Sequence, residues 1–146
     1  MKKTIVSFLC LAACSMASFS AHAVENGAVQ VEFQGPGGHS SSNYGRTSAL
    51  HAAGRALIQL QQAGLPAGSY TVVGFGGGNS VNSIASDGVF EVRLTAADVP
   101  AYDALVTSVT AAAKAGADAE NAFRGVKAGD LTAGAKADVR YTVTRK

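Results

Sequence analysis

Residues 35–94 read GPGGHSSSNYGRTSALHAAGRALIQLQQAGLPAGSYTVVGFGGGNSVNSIASDGVFEVRL, and this stretch decides the fold of the chain. A glycine-rich loop leads into a segment, 47–63, whose apolar residues recur at the spacing of one helix face. Those apolar residues are Leu50, Ala53, Leu57 and Leu60. Thr47 or Ser48 can cap the start of a helix, and Gly64, followed closely by a proline, is a typical end. An amphipathic helix is therefore predicted over 47–63.

Strand-like segments lie on both sides of this helix. Residues 29–33 alternate apolar and polar side chains with a period of two, which predicts a strand with one buried face. Residues 70–75 are β-branched and aromatic, and residues 89–94 alternate again, so two further strands are predicted around the glycine loop at 76–78. A last alternating segment covers 139–143. The sequence therefore predicts four half-buried strands.

A second helix is predicted between Asp98 and Gly125. Asp98 is a typical N-cap, Pro100 is tolerated in the first turn, and Gly125 is a natural stop. A stripe at steps of three and four residues is expected to face the core throughout the helix. The stripe consists of Leu105, Val109, Ala112, Gly116, Ala119 and Phe123. A glycine within such a stripe predicts that Gly116 lies close to another backbone.

The order of these elements, strand–helix–strand–strand–helix–strand, predicts an α+β fold. Four half-buried strands and two one-faced helices make a two-layer sandwich, in which both helices cover one face of a four-stranded antiparallel sheet. The ferredoxin-like βαββαβ topology is the simplest arrangement with right-handed crossovers. The opposite face of the sheet is polar, so it is either solvated or in contact with something outside this chain.

The N-terminus has the layout of an export signal. Residues 1–3 are basic at two positions, residues 4–13 are apolar, and residues 21–23 (AHA) form an A-x-A cleavage site. The apolar run is shorter than the about 20 residues that span a bilayer. Residues 1–23 are therefore predicted to be a signal peptide and residues 24–146 the folded domain, which is periplasmic or secreted in a bacterium.

An alternative interpretation of the N-terminus involves Cys14. Residues 11–14 (LAAC) resemble a bacterial lipobox, which would make Cys14 the lipidated N-terminus of a membrane-anchored lipoprotein. Without that lipid, no contact with a membrane is expected. Both interpretations place the protein outside the cytoplasm.

The charge and cysteine content of the predicted domain exclude two classes of function. The chain has a formal charge of +2 at pH 7, and without Lys2 and Lys3 the remaining basic and acidic residues are equal in number. No basic run remains as an electrostatic footprint for nucleic acid. Cys10 and Cys14 are removed with the signal, so a domain that begins at Val24 has neither a disulfide nor thiolate chemistry.

No self-contained catalytic site is predicted. A hydrolytic zinc site needs three protein ligands, and the domain retains only His39 and His51, so we expect no metal and no cofactor. Residues 40–42 are serines, but neighbours in sequence seldom face each other and no G-x-S-x-G elbow is present. The glycine loops lack both phosphate-binding signatures. The chain is therefore expected not to be an enzyme.

Three polar residues, His39, Asn82 and Arg93, lie within the glycine loops and the alternating strand described above and are the candidates for a site. Each has a structural interpretation, because His39 lies in a loop, Asn82 suits a turn and Arg93 lies on a solvated strand face. Together they would also suit a carboxylate or a polarised carbonyl. Arginine offers a bidentate fork, asparagine an N–H donor, and histidine a donor in the right tautomer. The spacing alone leaves both interpretations open.

At these residues the sequence resembles a known family. One group of motifs comprises GHSS at 38–41, NYGR at 43–46 and the helix start SALHA at 48–52. A second group comprises GGNSVNSI at 77–84 and FEVR at 90–93. In order and spacing, these motifs resemble the dimerisation (lid) domain of the zinc aminoacylase/carboxypeptidase family of metallopeptidases.

The resemblance spans about residues 29–93 and continues more weakly to the last strand. It implies a ferredoxin-like lid that pairs with its copy in another subunit and is inserted into a zinc-binding catalytic domain, which this sequence lacks. The family's lid histidine, matched by His39, polarises the scissile carbonyl in the partner subunit's active site. The family's asparagine and arginine, matched by Asn82 and Arg93, help hold the substrate carboxylate.

The sequence departs from the family at Ala85, where many members have proline, and at Glu91, where aspartate is common. A lid without its catalytic domain cannot cleave an amide by the family's mechanism. We therefore expect a secreted, stand-alone, non-catalytic homodimer that binds a peptide or amino-acid carboxylate. The alternatives are a trans-acting subunit or regulator of a separately encoded, exported zinc peptidase, and a degenerate remnant without retained chemistry.

Overall fold

The computed structural model describes residues 25–146. The predicted signal peptide, its cleavage site and Cys14 lie outside the described residues. The elements, in chain order, are β1 (Glu25–Gln34), β2 (Gly38–His39), α1 (Ala49–Gln62), β3 (Tyr70–Gly76), β4 (Ser83–Ile84), β5 (Asp87–Ala96), α2 (Val99–Phe123), β6 (Leu131–Thr132), β7 (Ala135–Lys136) and β8 (Arg140–Arg145).

Four strands form the main sheet in the order β3-β5-β1-β8, and every neighbouring pair is antiparallel. With α1 between β1 and β3 and α2 between β5 and β8, the connectivity is βαββαβ. The predicted α+β, ferredoxin-like sandwich is therefore confirmed. The central pair, β1 and β5, is matched over ten residues, from Glu25 opposite Ala96 to Gln34 opposite Asp87.

The core lies between the sheet and the two helices. Successive residues of a strand point to opposite faces, so every second residue of β1 and β5 is buried under the helices. These fully buried residues are Val29, Val31, Phe33, Phe90, Val92 and Leu94. The rings of Phe33 and Phe90 pack with their centroids 6.1 Å apart. The alternation that predicted both strands is thus produced by burial on one face.

Both helices begin and end at the predicted signals. The side chains of Ser48 and Asp98 accept hydrogen bonds from backbone N–H groups in the first turns of α1 and α2. After the last turns, Gly64 and Gly125 adopt φ angles of 65° and 67°. This left-handed conformation is accessible to glycine at little cost and ends a helix by turning the chain away.

The two helices pack against each other through small residues. A Cβ atom on Gly116 would lie 2.6 Å from the carbonyl oxygen of Ala52 and 2.6 Å from the backbone nitrogen of Ala56. Only a glycine fits at this distance, so the prediction that Gly116 lies against another backbone is confirmed. The neighbouring contact residues Ala112 and Ala113 are also buried.

The prediction that the α2 stripe faces the core throughout is wrong at its last residue. The side chain of Phe123 is 66% exposed. It lies between two guanidinium groups, with Cζ of Arg55 and Cζ of Arg124 each 4.9 Å from the ring centroid. At its C-terminal end the helix no longer covers the sheet, so the stripe continues without a core to face.

Two short ladders were not predicted. Strands β2 and β4 pair with each other, and β6 and β7 form a small hairpin in the segment between α2 and β8. Each strand has two residues, which is too short for an alternating pattern to be recognised.

Replacing Gly116 with alanine should destabilise the domain by about 1–3 kcal/mol, since the added methyl group must push the helices apart. The measurement is urea denaturation followed by circular dichroism. Gly54→Ala is the matched control, because its Cβ would meet only Phe75 Cζ, at 4.0 Å. In the helical interior this control should gain up to about 1 kcal/mol. Equal effects of the two substitutions would contradict the close packing at Gly116.

Candidate functional site

The β2–β4 ladder brings two of the three predicted site residues together. His39 pairs with Ser83, and the N–H of Ser40 donates to the carbonyl oxygen of Asn82 over 2.9 Å. The side chains of His39 and Asn82 then meet, with Nε2 and Nδ2 3.1 Å apart. Residues that are far apart in sequence thus form one polar pair at the end of the domain.

Glycines shape the loops that carry this pair. Gly38 has a φ of 136°, and a Cβ there would lie 2.8 Å from Nδ2 of Asn43. Gly77 has a φ of 148°, and a Cβ there would lie 2.5 Å from the carbonyl oxygen of Asp87. Both values are disfavoured for residues with a side chain. The two glycine loops therefore fix the geometry of the β2–β4 ladder and of the residues next to it.

The other ring nitrogen of His39 is held by Ser41. Nδ1 lies 2.8 Å from Oγ of Ser41, and the backbone N–H of Ser41 points at Nδ1 over 3.3 Å. Which ring nitrogen of His39 donates depends on its tautomer. On the other side of the ring, Nδ2 of Asn82 faces Nε2, and Oδ1 of Asn82 accepts a hydrogen bond from Oγ of Ser80 over 3.0 Å.

His39 and Asn82 are both exposed to solvent. Their hydrogen-bonding atoms can therefore turn towards a ligand without leaving a buried partner unsatisfied. A histidine N–H and an asparagine NH2 group are donors suited to a carbonyl or carboxylate oxygen.

Arg93 does not join this pair within one chain. It lies on the open face of β5, opposite Ala28 on β1 and Thr71 on β3, and is exposed. The pair lies beyond the other end of β5, which begins at Asp87. At about 3.3 Å per strand residue, Arg93 is roughly 20 Å along the strand from Asp87. One copy of the chain therefore presents the arginine and the His39–Asn82 pair separately.

The structure also contains a buried carboxylate that sequence analysis missed. Glu120 of α2 is 0% exposed and accepts three hydrogen bonds: from the backbone N–H of Ser48 over 3.0 Å, from Nε of Arg55 over 3.1 Å, and from Nε of Arg124 over 3.3 Å. Nδ1 of His51 is 3.9 Å away. The carboxylate thus ties the N-terminus of α1 to the C-terminal part of α2.

A signal for this cluster was present in the sequence. Glu120 lies one helical turn after Gly116, next to the apolar stripe of α2, where a charged residue is buried only when it is paired. Arg124 lies four residues after Glu120, and Arg55 is half-buried against it. The other two donors, from Ser48 and Arg55, lie 72 and 65 positions away, so spacing alone could not identify them.

The described part of the chain, residues 25–146, contains no group of three or more His, Cys, Asp or Glu side chains that could hold a metal ion. Within the same residues, no helix is long and apolar enough to cross a membrane. The fold and these side chains define a ferredoxin-like α+β domain that carries an exposed polar pair.

The chain belongs to the peptidase dimerisation domain family, whose model matches residues 26–121. This confirms the family resemblance drawn from the motifs around His39 and Asn82. Domains of this family are non-catalytic parts of metallopeptidase-like enzymes. Among curated proteins, none matches the sequence.

Solved structures share the fold at low sequence identity. An aminobenzoyl-glutamate utilization protein from Klebsiella pneumoniae has a TM-score of 0.64 and 14% identity, over 84% of this chain and 28% of its own. A hydantoinase/carbamoylase family amidase from Burkholderia ambifaria has a TM-score of 0.65 and 20% identity, over 86% of this chain and 28% of its own. A tripeptidase from Staphylococcus aureus has a TM-score of 0.61 and 15% identity, over 84% and 29%. The chain therefore spans less than a third of the length of these neighbours.

Replacing Glu120 with glutamine should destabilise the domain by about 2 kcal/mol, because charge-assisted hydrogen bonds to two arginines become neutral ones. Thermal and urea denaturation measure the change. Asp118→Asn is the control, since it removes a carboxylate from an exposed pair with Lys114 on the same helix and should change stability little. If E120Q were as stable as D118N, the buried cluster would not hold the helices together.

Proposed function

We propose that this chain forms a symmetric homodimer through the edge of β3, and that the dimer binds peptide or amino-acid carboxylates at two sites shared between the subunits. The chain contributes binding and no catalysis of its own. We also propose that it acts outside the cytoplasm, in the periplasm or after secretion, on the basis of the signal layout of residues 1–23. The family of the chain supports association, and the following features of the structure support the rest.

The first support is an apolar edge. Strand β3 is at one end of the main sheet, and its backbone groups on the outer side are open to pairing. Val72 and Phe75 on this strand are 42% and 52% exposed, and Ile58 on α1 is 53% exposed. Phe75 of β3 lies beside Gly54 of α1. An open strand edge together with exposed apolar side chains is the surface that a second copy can cover by extending the sheet.

The second support comes from symmetry. If two copies of β3 pair antiparallel about a two-fold axis near Val73, the start of one strand lies beside the end of the other. Arg93 lies next to Thr71, at the start of β3, whereas the end of β3 at Gly76 leads through the glycine loop to Asn82. The axis therefore places Arg93 of one subunit at the same end as the His39–Asn82 pair of its partner.

Such a composite site has the chemistry of carboxylate recognition. The Arg93 guanidinium presents a planar fork that matches the two oxygens of a carboxylate, while His39 and Asn82 supply N–H donors. The separation of these groups within one chain follows directly, because each chain provides two half-sites. One observation carries the proposal. The side chains of His39 and Asn82 meet beyond the end of β3, whereas Arg93 of β5 lies beside Thr71 at the start of β3.

An alternative function is supported by the position of the pair. His39 and Asn82 lie exposed on the end of the domain, not within a cleft. A histidine side chain in this position can reach into the active site of another protein. The alternative is therefore a trans-acting subunit or regulator of a separately encoded, exported zinc peptidase. Co-purification with such an enzyme from the cell envelope, lost in His39→Ala, would support it.

Replacing Phe75 with glutamate should dissociate the dimer. The two-fold axis places two such carboxylates at one interface, and like charges there cost several kcal/mol, or at least about a hundredfold in the dimer dissociation constant. Sedimentation equilibrium measures this constant. Leu131→Glu is the control, since Leu131 is also exposed, at 68% against 52% for Phe75, and lies on the β6–β7 hairpin. A wild-type protein that stays monomeric at all concentrations would refute the dimer.

The shared site can be tested by mixing two variants that each lack one part of the proposed binding site. His39→Ala and Arg93→Gln homodimers should each lose binding of an N-acyl amino acid in calorimetry. Random mixing should restore about a quarter of the wild-type number of sites, because half of the dimers are mixed and each has one intact site. If each site were built from one chain, mixing would restore nothing.

A further inference from the structure

A cavity lies behind the β2–β4 ladder that brings His39 and Asn82 together. It has a volume of about 300 Å³ and is bordered by the β2–β4 ladder, the N-terminus of α1 and the end of α2. We call it the basic cavity and define it by Ser40, Arg46, Ser48, His51, Ser83 and Arg124. Neither His39 nor Asn82 lines it, so it is separate from the proposed carboxylate site.

The lining of the basic cavity is cationic. It contains two arginines and a histidine, and none of its lining residues is acidic. Glu120 contacts the cavity residues Ser48 and Arg124, but its two oxygens are already shared among three donors. Arg46 forms no ion pair among residues 25–146. Among residues 25–146, Glu120 is the one fully buried carboxylate, and its hydrogen bonds go to Arg55 and Arg124 and not to Arg46.

The donors of the cavity are only partly used. Nε of Arg124 donates a hydrogen bond to Glu120. Among the described residues, the two Nη atoms of Arg124 have no hydrogen-bond acceptor. Arg46 gives Nη1 to the carbonyl oxygen of Gly37 over 3.2 Å, which leaves Nη2 and Nε. Both side chains are half-buried, Arg124 at 22% exposure. Partly desolvated guanidinium groups with free N–H donors bind oxyanions through short, charge-assisted hydrogen bonds.

We propose that the basic cavity binds an oxyanion, held between the guanidinium groups of Arg46 and Arg124 with the hydroxyl group of Ser40 beside it. Its volume of about 300 Å³ is at the lower end of small-molecule sites, which span about 300–1,000 Å³, and has room for a phosphate or a carboxylate group. The anion is either a free inorganic oxyanion or the carboxylate of an acidic side chain. The cavity does not depend on the dimer, because one chain supplies all of its lining.

The test is isothermal titration calorimetry of the full chain at constant ionic strength, with inorganic phosphate in one series and glutarate in another. Binding of phosphate assigns a free oxyanion, and binding of glutarate assigns an acidic side chain. Arg46→Gln and Arg124→Gln should each weaken binding by about tenfold to a hundredfold, the value of one charge-assisted hydrogen bond. Arg46→Gln leaves Glu120 and its partners untouched, so it reports on binding even where Arg124→Gln impairs folding.

Arg140→Gln is the matched control, because it removes the same charge from a residue outside the cavity, beside Asp138. The affinity of the Arg140→Gln variant for the oxyanion should equal that of the wild-type protein. Failure of both probes to bind, or equal weakening by all three substitutions, would overturn the proposal. His39→Ala disables the proposed carboxylate site and should leave oxyanion binding intact. Loss of binding in His39→Ala would place the anion at the His39–Asn82 pair and not in the basic cavity.

Discussion

The close contact between α1 and α2 is the constraint on which the rest of the structure depends. Gly116 lets the backbones approach until no methyl group fits between them, and one turn later Glu120 is fixed against the start of α1. Both helices lie on the same sheet face, so their separation determines where the N-terminus of α1 sits. The loop that carries His39 ends at that N-terminus. Packing between two helices thus positions a polar pair that neither helix contains.

Most of the fold could be predicted because burial imposes a period on the sequence. The strands of the central pair alternate strictly, and the caps at Ser48 and Asp98 mark where each helix begins. Phe123 shows the limit of this reasoning. A stripe records which face of a helix is apolar, but not how far the helix extends beyond the sheet that it covers. That length depends on the assembled structure.

The candidate site was predictable in its residues and not in its geometry. The family resemblance identified His39, Asn82 and Arg93, whereas the contact between the first two depends on strands of only two residues. Glu120 was missed because two of its three hydrogen-bond partners lie 65 and 72 positions away in the chain. Periodicity reports the local environment of a residue, and interactions over such separations require the tertiary structure.

The position of β1 in the sheet has a consequence for folding during synthesis. This first strand lies in the middle of the sheet and pairs only with β5 and β8, which begin at Asp87 and Arg140. Neither ladder can form until most of the chain has left the ribosome, and contacts of such long range also form slowly. The main sheet can therefore be completed only when nearly all of the chain has been synthesised.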